Sequence, residues 1–212
     1  YTGPMFMKYN AALRGLAELR RTSGSPFIRN NFVRLCCGID AWESYQDTNS
    51  RSALTFDAAC KDANKYTTSL HVINSAIIKL SKLVKATTVY RGLSGAKLPP
   101  SFMRESEDTG VRGGVEASFM STSKSREAVT AYASNGGARI VLEIKMGMVD
   151  RGADVKWFSQ YPHEEEILFA PLTGLQVVSD RVEKRALVLD IRLNINLVAV
   201  SYTHLTLPTT PY

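Results

Sequence analysis

The amino-acid sequence predicts an α+β fold. Before Lys85, apolar residues recur at the spacing of amphipathic helices, and after it the chain consists of short β-rich runs separated by Gly, Pro, Asn and Asp. Helices that precede a block of strands are typical of α+β proteins, whereas α/β proteins alternate the two elements. With 212 residues, the chain is long enough to bury the core of one domain.

Two amphipathic helices are predicted before Lys85. The first covers residues 5–21 and ends at the sequence TSGSP, and the second covers residues 67–84. The segment between them, residues 27–65, is predicted to be helical in pieces. The apolar stripe of the second helix consists of Leu70, Ile73, Ile77, Leu80 and Val84, broadened by Ala76 and Leu83.

Six β-rich runs are predicted to form strands, because they are rich in β-branched and aromatic residues and are bounded by turn residues. These runs are TTVYRGL (87–93), VEASFMSTS (115–123), ARIVLEIKM (138–146), EEILFAPL (165–172), LQVVS (175–179) and ALVLDIRLNI (186–195).

Composition limits the possible partners. The chain has 26 Lys and Arg against 20 Asp and Glu, a net charge of +6 that favours anionic ligands, but the basic residues are scattered and no nucleic-acid partner is expected. Cys36, Cys37 and Cys60 lack the spacing of a disulfide framework or a zinc site, so we expect small buried apolar residues and no metal. No apolar run has the length of a membrane span.

The two ends of the sequence indicate that the chain is a fragment of a longer protein. The chain opens at Tyr1 without a methionine or a signal peptide, so its localisation is left open; the sparse cysteines favour an intracellular setting or one domain of a larger chain. VSYTHLTLPT (200–209) resembles the forward translation of a transposase adapter used in sequencing libraries, and residues 200–212 contain no charged side chain of the Lys, Arg, Asp or Glu type. We expect one domain over residues 1–199, truncated at both ends, and a non-native tail over 200–212.

Three groups of polar residues stand in or beside the predicted strands. Arg91 ends a short strand, and Gly92 after it lets a ligand approach the backbone; the alternative is an edge-strand arginine paired with a surface carboxylate. SFMSTS (118–123) ends another run, where its hydroxyls either line a site or cap the following helix. In a strand, Glu164 and Glu166 would share one face and Glu165 would point away; the alternative is a solvated turn.

Taken in order, VYRGL (89–93), FMSTS (119–123) and EEEILF (164–169) give Arg, then Ser-Thr-Ser, then Glu-x-Glu. This resembles the R-S-E pattern of the mono-ADP-ribosyltransferases. The opening YTGPMFMKYNAALR (1–14) resembles the first helix of the arginine-modifying members, so the resemblance covers nearly all of residues 1–199. It implies the ADP-ribosyltransferase fold, an N-terminal helical region packed on two small, mainly antiparallel β-sheets with NAD in the cleft between them.

The resemblance also implies an enzyme that transfers ADP-ribose from NAD, its co-substrate, to arginine side chains of target proteins and releases nicotinamide. Glu166 would bind the nicotinamide ribose and stabilise the oxocarbenium-like cation that forms when the glycosidic bond breaks. Ser121 would hydrogen-bond to Glu166 and fix its orientation. Arg91 would hold the phosphates or ribose of NAD, and Gly92 would offer backbone groups to the nicotinamide amide.

Further residues are assigned by the same resemblance. Tyr1 and Asn10 would contact NAD from the opening region, whereas Thr122 and Ser123 would support their strand or cap the next helix. Glu164 would attract the target guanidinium, whose pKa lies above about 12, and take its proton as the new bond forms.

The sequence DVKWFSQYPH (154–163) is interpreted as the loop that presents the target. Its aromatic residues Trp157, Phe158 and Tyr161 either contact the target's surface or fold back onto the core. His163 and His71 match no role in the family and are assigned none.

Two other functions remain open at this point. An NAD glycohydrolase would use water in place of arginine as acceptor, and the presence of Glu164 argues against a pure hydrolase. A catalytically inactive NAD-binding or interaction module is disfavoured by the presence of Arg91, Ser121 and Glu166 together.

Overall fold

A computed structural model describes residues 5–19, 25–37, 39–46, 55–94, 98–107, 110–133, 139–183 and 186–194. Tyr1 and the expected non-native tail lie outside these residues. The chain divides into two compact units, Tyr1–Ser75 and Ala76–Tyr212. The assignment of residues 1–199 to a single domain stays a prediction.

The N-terminal unit is helical, as the sequence predicts. The described residues of the segment expected to be helical in pieces form three separate helices. The last helix begins in this unit and continues into the second. In chain order the helices are α1 (Phe6–Glu18), α2 (Pro26–Cys36), α3 (Ile39–Gln46), α4 (Phe56–Asp62) and α5 (Thr67–Ser81).

The core of this unit forms where α1 packs against α2. Phe32 of α2 is fully buried, and a Cβ at Gly15 of α1 would lie only 2.1 Å from its ring, so the close approach of the helices requires glycine there. Phe56 of α4 meets the ring of Phe32 edge-on at 5.6 Å. The buried carboxylate of Glu18 accepts a hydrogen bond from the backbone of Ser25 at 2.6 Å, which satisfies both groups where α2 begins.

The three cysteines are free thiols, and Cys37 is only half-buried, whereas the sequence predicts burial for all three. Cys36 and Cys60 are buried, and burial raises the pKa of Cys36 to about 12 and that of Cys60 to about 11. Both are therefore protonated at neutral pH and behave as small apolar residues.

The helix predicted over 67–84 ends earlier, at Ser81. Ile77 of its predicted apolar stripe is buried, but Leu83 lies beyond the helix and is 81% exposed. The stripe therefore overestimates the length of α5 by three residues. None of the helices in the described part of the chain is long and apolar enough to cross a membrane.

In the described part of the second unit, eight strands follow one hydrogen-bonded order, β2-β7-β8-β4-β1-β3-β6-β5. Neighbouring strands are antiparallel except β4 and β8. The short helix α6 (Pro100–Met103) follows β1, and α7 (Arg126–Ala133) follows β3. The strands are β1 (Thr88–Ser94), β2 (Gly113–Glu116), β3 (Met120–Ser123), β4 (Arg139–Lys145), β5 (Ala153–Asp154), β6 (Glu166–Phe169), β7 (Thr173–Glu183) and β8 (Ala186–Asn194).

These strands confirm the α+β class and the mainly antiparallel pairing, with one difference from the expected pair of sheets. Strand β1 pairs with β4 along its length and with β3 at Tyr90 and Ser123, which joins all eight strands into one sheet. The run predicted over 115–123 is divided into β2 and β3 by a break at residues 117–119. The run predicted over 165–172 ends early, at Phe169, because the chain turns before β7 at residues 170–172, where Leu172 has a positive φ of 63°.

Apolar side chains cover both faces of this sheet. One core cluster draws on most strands and includes the fully buried Val89, Ile144, Ile167 and Leu189. A smaller cluster around Val129 of α7 lies on other residues of β4 and β8. Strand alternation places consecutive residues of β1 on opposite faces.

Strand β7 is longer than its predicted core, LQVVS, because its polar end is also paired. Arg181 contacts Glu183 on its own strand, Asp190 of β8 and Glu143 of β4. These opposite charges on β7, on its neighbour β8 and on β4 stabilise a stretch whose composition is typical of a loop.

Candidate active site

Arg91 lies in the middle of β1, not at the end of a short strand as predicted. Strand β1 runs between β4 and β3, so the alternative of an edge-strand arginine is also wrong. The Nη1 atom of Arg91 donates a hydrogen bond to the backbone oxygen of Ser121 at 3.1 Å. Gly92 follows in the same strand, opposite Val141 of β4. The contact with Ser121 therefore fixes the guanidinium beside β3.

Ser121 and Glu166 lie on the paired strands β3 and β6, and their side chains are hydrogen-bonded to each other. Glu166 is only 6% exposed. Burial raises the pKa of its carboxyl group; the hydrogen bond from Ser121 lowers it and the nearby charge of Glu164 raises it, so that the net shift is upward. The structure thus brings Arg91, Ser121 and Glu166 together on three adjacent strands.

The other two residues of Ser-Thr-Ser hold β6 and the turn before it. The Thr122 hydroxyl donates to the backbone oxygen of Ile167 at 2.8 Å, and the Ser123 hydroxyl donates to that of Glu164 at 2.7 Å. The helix cap proposed as an alternative falls two residues later, where Ser125 accepts a hydrogen bond from Ala128 of α7 at 3.2 Å.

The prediction that Glu164 and Glu166 share one face of a strand is wrong. Glu164 ends a 3₁₀ turn, Pro162–Glu164, and Glu165 adopts a left-handed conformation with φ of 47°, so strand alternation begins only at Glu166. A proline at the start of this turn favours it over an extended strand. The alternative of a solvated turn therefore describes Glu164, which is exposed, but not Glu166, which is buried.

Glu165 also differs from the outward-facing spacer predicted from the sequence. Its carboxylate pairs with the ammonium group of Lys156 at 3.0 Å, which joins this turn to the preceding 3₁₀ turn, Lys156–Phe158. The backbone of Glu165 accepts a hydrogen bond from Lys124 at 3.3 Å. Its side chain and its backbone are therefore both held.

The loop 154–163 carries exposed aromatic side chains. Trp157 is 88% exposed, Phe158 is 73% exposed and Tyr161 is 50% exposed, so none of them folds back onto the core. The start of the loop is anchored by Asp154, which accepts hydrogen bonds from the side chain of Lys124 at 2.7 Å and from the backbone of Lys156 at 3.0 Å. The loop thus presents aromatic groups from a fixed base.

Sequence reasoning missed Glu116, whose carboxylate lies 3.8 Å from the Nη2 atom of Arg91. It also missed Lys156. Nothing in the sequence pairs Glu116 with Arg91, because the two lie on strands β2 and β1, which are not neighbours in the sheet. Glu116 lies just before the bend at residues 117–119 that leads into β3, and β3 is a neighbour of β1.

The remaining predicted contacts lie elsewhere in the chain. Asn10 belongs to α1 in the N-terminal unit, and Tyr1 lies outside the described residues. Their contacts with NAD, and the NAD cleft itself, stay predictions. Within the described ranges, no three His, Cys, Asp or Glu side chains are grouped as metal ligands would be.

Comparison with known proteins adds to this geometry. The sequence profile of the family described as NAD:arginine ADP-ribosyltransferase matches residues 29–195. The ADP-ribosyltransferase HopU1 of Pseudomonas syringae pv. Tomato DC3000 is similar in structure, with a TM-score of 0.50 at 21% identity over 88% of this chain and 76% of HopU1. The Salmonella SpvB ATR domain gives a TM-score of 0.51 at 17% identity, over 92% of this chain and 94% of that domain. No curated protein sequence matches the chain.

Proposed function

The chain belongs to the NAD:arginine ADP-ribosyltransferase family and is an NAD-dependent ADP-ribosyltransferase, and we propose that it transfers ADP-ribose to arginine side chains of target proteins. One observation carries the choice of arginine. The buried carboxylate of Glu166 is hydrogen-bonded to Ser121, whereas the carboxylate of Glu164, two residues earlier, is exposed. The first suits a cation formed inside the site, and the second suits a cationic acceptor that arrives from solvent.

Glu166 acts when the bond between C1′ of the ribose and the nicotinamide nitrogen breaks. The electron pair leaves with nicotinamide, and positive charge develops on the ribose. A carboxylate in a site of low polarity stabilises such a charge more strongly than one in water. The hydrogen bond from Ser121 supports this role because it keeps the carboxylate in one orientation before NAD binds.

Arg91 and Gly92 bind the rest of NAD. The guanidinium group is a permanent cation whose planar set of donors matches phosphate oxygens. Its hydrogen bond to the backbone of Ser121 supports this role, since it links the phosphate-binding group to the strand that holds Glu166. Gly92 contributes backbone groups to the nicotinamide amide, and Asn10 and Tyr1 contribute further contacts.

Glu164 acts on the acceptor. A guanidinium nitrogen becomes nucleophilic only when it gives up a proton, and the exposed carboxylate attracts the guanidinium and takes that proton as the nitrogen bonds to C1′. The hydrogen bond that its backbone oxygen accepts from Ser123 supports this role, because it fixes the turn beside β3.

The target protein contacts the loop 154–163. Exposed aromatic side chains are enriched at protein interfaces, and Trp157 and Phe158 are largely exposed. With Glu164 at the end of the same loop, these residues suit a protein surface on which an arginine stands among apolar groups.

The experiment is nicotinamide release from NAD, measured with and without agmatine as an arginine analogue. We expect release that agmatine accelerates, together with ADP-ribosylated agmatine as a product. Release at a rate that agmatine does not change, with no labelled product, would identify an NAD glycohydrolase instead. Protein that binds NAD but releases no nicotinamide would identify an inactive module.

A further inference from the structure

We infer that Glu116 is a positioning residue that holds Arg91 ready for NAD. This inference rests on the proposed function, in which Arg91 binds the phosphates or ribose of NAD. It starts from the place of Glu116, which ends β2 just before the bend at residues 117–119. Its carboxylate lies between Arg91 on one side and Ser118 in the bend on the other.

The two oxygens of Glu116 have different partners. Oε1 accepts hydrogen bonds from the backbone nitrogen of Ser118 at 3.1 Å and from its hydroxyl at 2.7 Å, whereas Oε2 lies 3.8 Å from Nη2 of Arg91. The first pair of contacts fixes the orientation of the carboxylate. The contact of Oε2 places that fixed negative charge beside the guanidinium of Arg91.

Arg91 is consequently anchored at both terminal nitrogens. Nη1 donates to the backbone oxygen of Ser121, and Nη2 faces Glu116. The side chains of Arg91 and Glu116 are only 21% and 18% exposed, so solvent screens their attraction less than it screens that of a surface pair. Glu116, Arg91 and Ser121 thus form a connected series that ends at Glu166.

Because Arg91 is held before NAD arrives, its binding to NAD costs less conformational entropy. A free arginine side chain loses much rotamer freedom when it grips a phosphate, and that loss weakens binding. A guanidinium that is already held has less freedom to lose. Glu116 therefore lowers the KM for NAD without taking part in the bond-breaking step.

Glu116→Gln separates this role from a merely structural one. The amide oxygen of glutamine can still accept the hydrogen bonds from Ser118 in the bend, but the negative charge that faces Arg91 is gone. We expect the KM for NAD to rise about fivefold, in line with the strength of a partly buried ion pair, with kcat within about twofold of the wild type. The pH profile of kcat, which depends on Glu166, should not shift.

Asp180→Asn is the matched control. It neutralises the carboxylate that pairs with Arg112 at 3.2 Å, another ion pair between a carboxylate and an arginine in the same unit, neither of whose residues belongs to the Ser-Thr-Ser or Glu-x-Glu motif. We expect its KM and kcat to equal those of the wild type. The Tm of both variants, measured by thermal melting, shows whether either one perturbs folding.

Three results would overturn the inference and leave the proposed function intact. An unchanged KM in Glu116→Gln would mean that the charge has no role. A lower KM would mean that Glu116 competes with NAD for Arg91, and a fall in kcat together with Tm would mean that it only supports the bend. Wild-type protein that released no nicotinamide would overturn the proposed function, and this inference with it.

Discussion

Strand β6 and the turn that leads into it are adjacent in sequence but differ in their surroundings. Glu166 in the strand is 6% exposed, is hydrogen-bonded to Ser121 and has a raised pKa. Glu164 in the turn is exposed to solvent. A group that stabilises a cation inside the site gains from burial, whereas a group that meets an arriving substrate has to be reached from outside.

The same comparison explains why three adjacent glutamates are tolerated. If all three were in one exposed strand, their charges would repel without compensation. In the structure, Glu166 is buried, Glu165 is paired with Lys156, and Glu164 is exposed to solvent. The left-handed backbone at Glu165 separates the two environments within a single residue.

The largest expected effect concerns Glu166, the buried glutamate. Glu166→Gln removes the charge that we propose offsets the ribosyl cation, so both NAD hydrolysis and transfer to agmatine should fall by about 100-fold or more. Nicotinamide release with and without agmatine measures both. Hydrolysis that survives in a folded variant would place the cation-stabilising group elsewhere.

The next prediction uses a charged region away from the proposed site. Arg181 contacts three carboxylates, those of Glu143, Glu183 and Asp190. Arg181→Met leaves these three negative charges facing one another, so we expect a lower Tm and an unchanged kcat/KM. The loss should shrink at high salt, because salt screens the repulsion. A variant that melted normally but lost activity would tie this network to catalysis.

The raised pKa of Glu166 predicts a dependence of stability on pH. Because its pKa is higher in the folded protein than in the unfolded chain, folding favours the protonated form, and ionised Glu166 reduces stability as pH rises through the folded-state pKa. Glu166→Gln should therefore melt at or above the wild-type Tm at neutral pH. The difference should narrow as pH falls, because the wild type regains this stability below the pKa of the unfolded chain. A wild type that is the more stable protein at neutral pH would mean that the hydrogen bond from Ser121 outweighs burial.

The smallest effect is expected at Glu165, which lies between the exposed Glu164 and the buried Glu166. Glu165→Gln breaks an ion pair whose side chains are 43% and 44% exposed, and such pairs contribute about 0–1 kcal/mol. Both activities should stay within about twofold of the wild type, and Lys156→Met should behave alike. A selective loss of transfer in both variants would instead make this pair part of acceptor recognition.

Much of this arrangement is predictable because it follows from local patterns. The β-rich runs predict strands β1, β3 and β6, and the order of Arg, Ser-Thr-Ser and Glu-x-Glu identifies the residues that meet on them. Arg91, Ser121 and Glu166 come together because their strands are neighbours in the sheet.

The rest depends on contacts between residues that are distant in sequence. In the polar part of β7, Arg181 contacts Asp190 on the neighbouring strand β8 and Glu143 on β4, one strand further. Glu116 lies 3.8 Å from Arg91 although their strands are not neighbours in the sheet. The turn at Glu164 overrides the strand pattern because Pro162 and Glu165 set the local backbone, so the faces expected from strand alternation do not apply.

The measurement that tests the central claim most directly is the ratio of agmatine labelling to NAD hydrolysis in Glu164→Gln. If the exposed carboxylate acts only on the acceptor, labelling should fall by about 100-fold, the usual contribution of a general base, while hydrolysis stays close to the wild-type rate. Thermal melting confirms that the variant is folded. Equal loss of both activities in folded protein would contradict the division of roles, because Glu164 and Glu166 would then act as one undivided patch of charge.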